Sequence, residues 1–116
     1  MSKTLQIPSL DLNDFKSSNL EKKENFVKNL GEAYQKIATL YGYEGDLDAR
    51  LEYNFKALRV FEQHELEMEE AYLNAEIGYQ MKYDDMPKAE VYMNRGMKLA
   101  ENGNYKEVLD RIYNNY

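Results

Sequence analysis

Few residues of this 116-residue chain could perform catalytic chemistry, and their spacing argues against an active site. The single histidine lies in His64-Glu65-Leu66-Glu67, where it could share a metal ion with Glu67. A di-iron site in a helix bundle needs two Glu-x-x-His motifs and two further glutamates, and that set is absent. One histidine also rules out most hydrolase triads. We therefore predict no catalytic residue, no metal site and no cofactor, and expect His64 to be a solvated residue at a helix junction.

Two acidic patterns have simpler explanations than ligand binding. The glutamate run between residues 65 and 70 could attract a basic peptide, but such a run more often begins a helix, whose dipole favours negative charge there. Asp46-x-Asp48 is similar to the start of a calcium loop, yet Arg50 occupies the next ligand position. We expect Asp46 to be a helix N-cap instead.

The elements that carry these residues are predicted to be helices. Apolar residues recur at alternating steps of three and four, which predicts an all-α protein of five helices. Ser18-Asn19-Leu20-Glu21 has the form of a capping box, so we predict an irregular arm over 1–17 and a helical domain over 18–116. Short loops predict antiparallel neighbours. The expected boundaries are Gly45, Asp46, a weakly marked break near Gln63-His64, Asp84-Asp85 and Asn102-Gly103-Asn104.

Composition narrows the classes of partner. The formal net charge of −6 argues against a nucleic-acid partner, because nucleic-acid binding needs a basic face. The longest apolar runs are too short to span a membrane. The chain has no cysteine, which fits a cytoplasmic protein.

A repeat is visible along the chain. The segment from Ala33-Tyr34 to Tyr41 returns from Ala71-Tyr72 to Tyr79, and it begins a third time at Ile112-Tyr113, where the chain stops inside a third unit. Periods of this length are typical of helical repeat arrays. From about Gly31 to Tyr116 the chain resembles tetratricopeptide (TPR) repeats. The matching residues are Tyr34, Ile37, Ala38, Tyr41, Gly45-Asp46-Leu47-Asp48, Leu51-Glu52-Tyr53, Lys56-Ala57-Leu58, Tyr72, Ala75, Tyr79, Asp84-Asp85, Lys88-Ala89 and Tyr92.

The resemblance implies an antiparallel array of helical hairpins with a peptide groove lined by the first helix of each unit. Arg50 and Glu76 depart from the family pattern, which has small residues there, and the second unit needs a one-residue slip at its turn, so the resemblance leaves tight packing of the second helix pair open. Gly78 and Gly96 are expected to be close helix contacts. An asparagine at position 74 would clasp an extended peptide backbone. The residues predicted to line the groove are Gln35, Thr39, Leu73, Asn74, Ile77 and Met81.

Residues 1–37 resemble a different family, the isopenicillin-N-synthase-like iron/2-oxoglutarate oxygenases. That family's iron needs two histidines and a carboxylate, so its activity does not carry over to a chain with one histidine. The resemblance rests on Ile7-Pro8-Ser9-Leu10-Asp11-Leu12, Asp14-Phe15, Lys22-Lys23 and Leu30-Gly31-Glu32-Ala33-Tyr34.

We interpret the chain as a non-catalytic protein- or peptide-interaction module or scaffold whose partner the sequence does not identify. Two alternatives remain open: a designed or composite chain without a native function, and a non-catalytic remnant of an oxygenase N-terminus. The protein is expected to be a monomer whose last helix packs inward. A dimer through Ile112 and Tyr116 of that helix is the alternative.

Overall fold

The structure, a computed structural model, describes the backbone of residues 12–115 and the side chains of residues 19–114. Helices make up 89% of the described residues, and none of these residues is in a strand. The prediction of an all-α fold with five helices is confirmed. The helices are α1 (Leu12–Glu44), α2 (Leu47–Gln63), α3 (Glu67–Met81), α4 (Met86–Gly103) and α5 (Lys106–Asn115).

The start of α1 differs from the prediction. The helix already includes Leu12, so residues 12–17 of the predicted arm are helical and Ser18 is not its N-cap. The physical reason is that no glycine or proline lies between Pro8 and Gly31, so nothing ends the helix at residue 18. Residues 1–11 of the arm lie outside the described residues. They include most of the Ile7–Leu12 stretch on which the oxygenase resemblance rests.

The C-terminal ends of α1, α2 and α4 share one hydrogen-bond arrangement. Each has a residue with positive φ just beyond the helix: Gly45 (82°), Glu65 (57°) and Asn104 (53°). That residue's amide donates to the carbonyl three residues earlier, and the next amide donates to the carbonyl five residues before it, at 2.9–3.3 Å. This is the Schellman motif, which satisfies carbonyls that a helix end leaves unpaired. The boundaries predicted at residues 45 and 102–104 are confirmed, and α2 ends at Gln63 as expected.

Two aspartates begin the even-numbered helices. The Asp46 carboxylate accepts from the Ala49 amide, and the Asp85 carboxylate accepts from the Lys88 amide, each at 3.1 Å. The N-cap predicted at Asp46 and the boundary predicted at Asp84-Asp85 are therefore confirmed. In each case a carboxylate satisfies an amide of the first turn, where the helix dipole favours negative charge.

The helices form two packed hairpins, α1 with α2 and α3 with α4. α2 also packs on α3, and α5 packs on α3 and α4, so α3 is central. One core cluster lies between α2, α3 and α4, and a second between α3, α4 and α5. The fully or nearly buried members of the first are Ala57, Leu58, Phe61, Leu73, Ile77, Met81 and Ala89, and those of the second are Ala71, Ala75, Ala100, Val108 and Ile112.

The second hairpin, α3 with α4, packs closely despite its departures from the TPR pattern. A Cβ added at Gly78 would lie 2.8 Å from the Ala89 carbonyl oxygen, and one added at Gly96 would lie 2.8 Å from the Ala71 carbonyl oxygen. These glycines, as expected, are the points at which α3 and α4 touch. Glu76, which departs from the TPR pattern, lies on the side of α3 that faces Arg50 of α2.

Candidate binding groove

One face of α3 is left open between its neighbouring helices. Met68, Tyr72, Glu76 and Gln80 recur along this face at every fourth position, which places them in one row. Met68 is 40% exposed, and the other three are half-buried. We call the depression above this row the α3 groove.

Three hollows make up the α3 groove. The first, about 170 Å³, lies between α1, α3 and α5; the second, about 50 Å³, between α1, α2 and α3; the third, about 190 Å³, between α2 and α3. Gln35 and Tyr72 line both the first and the second hollow, and Arg50 and Gln80 line both the second and the third. The hollows therefore follow one another along α3, whose 15 residues span about 22 Å.

Side-chain contacts hold α1 and α5 beside α3 at the first hollow. Lys28 Nζ of α1 lies 3.7 Å from Glu69 Oε2 of α3. The Arg111 guanidinium of α5 lies 4.8 Å from the centre of the Tyr72 ring, a cation–π distance. These contacts join the three helices that border the first hollow.

The two residues that depart from the TPR pattern contact each other. Arg50 Nη2 of α2 lies 3.6 Å from Glu76 Oε2 of α3, and the two side chains are 32% and 20% exposed. Both residues line the second hollow. A partly exposed pair of this kind contributes modestly to stability, about 0–1 kcal/mol. Its main effect here is to neutralise two charges at the wall of the α3 groove.

Burial and nearby charge shift two ionisable groups beside the groove. Burial, followed by the negative charges of Glu62, Glu67 and Glu65, raises the pKa of Glu70 above its ordinary value. Burial, followed by the negative charge of Glu76, raises the pKa of Tyr72. The raised pKa means that the ionised form of Glu70 is less favourable in the folded protein than in water.

Two of the six predicted groove residues line the observed groove in reach of solvent. Gln35 borders the first and second hollows, and Thr39 borders the second. Thr39 is exposed, and its hydroxyl donates to the Gln35 carbonyl at 3.0 Å. Both residues lie on α1, where α2 covers one side only.

The other four predicted residues are buried. Leu73, Ile77 and Met81 belong to the first core cluster, and only Leu73 borders a hollow. Asn74 is 2% exposed, and its Nδ2 donates to the Glu70 carbonyl at 2.9 Å. Asn74 is therefore shielded from solvent, and its expected contact with a peptide backbone stays a prediction.

The burial of these four predicted groove residues has a physical cause. Neighbouring positions on a helix differ by about 100° in direction, and α3 is packed by α2 on one side and α4 on another. Most of the circumference of α3 is consequently buried, and only one row of its side chains faces the groove. Tyr72, on this row, packs against both core clusters and also lines the first and second hollows. Residues 68, 76 and 80, which complete the open row, carried no signal that distinguished them.

The described residues hold no cluster of three or more histidine, cysteine, aspartate or glutamate side chains arranged to hold a metal ion. His64 is exposed at the C-cap of α2.

The two larger hollows of the α3 groove are smaller than the roughly 300–1,000 Å³ of most small-molecule sites. Their size suits single side chains. None of the helices that the structure describes is long and apolar enough to cross a membrane.

Comparison with protein-family models, with curated proteins and with solved structures found no match. The function is therefore inferred from the sequence and the geometry of this chain alone.

Proposed function

We propose that this protein is a non-catalytic interaction module of TPR-like helical hairpins that binds an extended peptide in the α3 groove and acts in the cytoplasm. The observation that carries the proposal is the row of three connected hollows along α3. An extended peptide advances about 3.3 Å per residue, so the groove accommodates about six or seven residues.

The arrangement of the helices supports the TPR-like part of the proposal. Two hairpins are followed by α5, and the first hollow is lined by α1, α3 and α5, which are the first helices of successive units. The resemblance of the sequence implies a groove on the same helices. A short turn precedes the second helix of each pair, which begins at an aspartate cap.

The chemistry of the groove suits a peptide with spaced side chains. Met68, Tyr72 and Val108 give the first hollow an apolar floor, while Glu107 and Arg111 supply charge at its border. An apolar side chain of the peptide would occupy this hollow. Polar groups in the second hollow would contact the peptide farther along.

A monomer is part of the proposal. Val108 and Ile112 are 5% and 8% exposed because they pack into the second core cluster. A dimer through Ile112 would require α5 to leave that cluster. Tyr113 is 66% exposed and is the largest described apolar side chain still free on α5.

A peptide array with a blocked-groove variant tests the proposal. Met68→Glu places a charge on the apolar floor, and because Met68 is 40% exposed the fold should tolerate it. We expect the variant to lose binding of selected seven-residue peptides by about tenfold or more. The matched control is Val91→Glu on α4, at a position 47% exposed that lines none of the three hollows.

Circular dichroism should show equal helix content for both variants. Equal binding by Met68→Glu and Val91→Glu would refute the α3 groove as the peptide site. An array on which no peptide binds the unmodified protein would refute the function itself.

A further inference from the structure

The second hollow of the α3 groove is lined mainly by neutral polar side chains. Three carboxamides border it, those of Gln35, Asn54 and Gln80, together with the Thr39 hydroxyl. Its volume of about 50 Å³ is roughly a third of the 150 Å³ cavity that holds benzene. It therefore admits only a small polar headgroup, whose aliphatic stem would lie in the open groove.

Gln80 carries the most informative feature of this hollow. Its Nε2 and Oε1 atoms are both buried, and neither has a hydrogen-bond partner among the described residues. A buried polar group without a partner costs about 1–3 kcal/mol. Because the amide makes no hydrogen bond, the side-chain torsions of Gln80 can turn it toward a ligand without breaking one.

The charges beside the hollow favour a neutral ligand. Arg50 and Glu76 are the two ionised residues on its lining, and they pair with each other at 3.6 Å. A carboxylate or an ammonium group would have to compete with one member of this pair. A neutral group leaves the pair intact.

We infer that the second hollow is a subsite for a neutral carboxamide, the side chain of an asparagine or glutamine in the bound peptide. A carboxamide has an N–H donor and a C=O acceptor side by side, and Gln80 presents the same two groups. Two hydrogen bonds can therefore form between them in opposite directions. The inference deepens the proposed function, on which it rests for the peptide that carries the side chain.

A small probe tests the subsite separately from any peptide. N-acetyl-glutamine methylamide is titrated into 15N-labelled protein, and the Gln80 side-chain NH₂ signals are followed by NMR. We expect a saturable shift, and at least tenfold weaker binding of the glutamate and leucine analogues. Gln80→Met, which keeps the side-chain length but removes both hydrogen-bonding groups, should abolish the effect on the neighbouring backbone signals.

Gln63→Met is the matched control, because Gln63 is exposed at the end of α2. Gln80→Leu serves as a second variant if Gln80→Met does not fold. Three results would overturn the inference: no saturable shift, equal binding of the glutamine and leucine probes, or retained binding in the Gln80 variants. If the probe binds but no peptide on the array does, the subsite is supported and the proposed function is refuted. Peptide binding that is independent of asparagine and glutamine, with no probe binding, would refute the subsite alone.

Discussion

Replacing Glu65 by glycine should stabilise the protein. Glu65 is the left-handed residue of the Schellman motif that ends α2, with φ of 57°. The equivalent residue after α1 is Gly45, with φ of 82°. Glycine adopts this conformation without a steric penalty, whereas Cβ of any other residue lies too close to the following carbonyl oxygen.

The size of the effect follows from two opposing contributions. The left-handed conformation costs an ordinary L-residue about 1–2 kcal/mol. Glycine lowers the free energy of unfolding by about 0.5–1 kcal/mol, because it makes the unfolded chain more flexible. We therefore expect a net gain of about 0.75 kcal/mol. For a chain of 116 residues the unfolding entropy is about 0.24 kcal/mol/K, so Tm should rise by about 3 °C.

Charge must be separated from backbone strain, because Glu65 is also one of the glutamates that raise the pKa of Glu70. Glu65→Gln removes the charge and keeps the strain, so it gives the electrostatic part alone. The reverse control is Gly45→Ala. A Cβ at Gly45 would meet nothing within 4 Å, so its cost, about 1 kcal/mol, reports the backbone conformation only.

Urea unfolding and calorimetry of the three variants measure these differences. The reasoning is refuted if Glu65→Gly is no more stable than Glu65→Gln, because the gain would then be electrostatic. It is also refuted if Gly45→Ala is as stable as the unmodified protein.

Three further predictions concern packing and pH. Gly78→Ala should lower the free energy of unfolding in urea by about 2 kcal/mol, because the added Cβ meets the backbone of α4. In Gly42→Ala the added Cβ meets only a flexible arginine side chain, so the free energy of unfolding should change by less than about 0.5 kcal/mol. Val27→Asp should lower the free energy of unfolding by about 2–3 kcal/mol, because Val27 is only 6% exposed. Phe26→Asp, at a position 69% exposed, should change it by no more than about 0.5 kcal/mol. Equal losses in the two variants would contradict the packing of α1. Glu70 has a higher pKa in the folded state than its ordinary value of 4.5, so its stabilising contribution is present below that pH and is lost as pH rises through the folded pKa. Glu70→Gln should therefore be more stable than the unmodified protein at neutral pH and close to it below pH 4.5, and a pH titration of stability in which the two curves run parallel would contradict this.

Local chemistry let the sequence alone determine the five helices and most of their ends. Asp46 and Asp85 cap because a carboxylate reaches the amide three residues later, and Gly45 ends α1 because glycine adopts the left-handed conformation without a steric penalty. Periodicity was sufficient for helix type, and Gly78 and Gly96 were correctly expected at helix contacts. The start of α1 was missed, since a capping box is a weak signal when no glycine or proline lies close before it.

Only the tertiary structure decided which face of α3 is open. A helix packed on one side shows its buried stripe in the sequence, but α3 packs on both α2 and α4 and shows little contrast between its faces. Asn74 was expected in the groove and is buried, while Tyr72 packs against both core clusters and also lines the groove. The direction of a side chain on such a helix depends on where the other helices lie. That information comes from the packing of residues far apart in the chain and not from their local pattern.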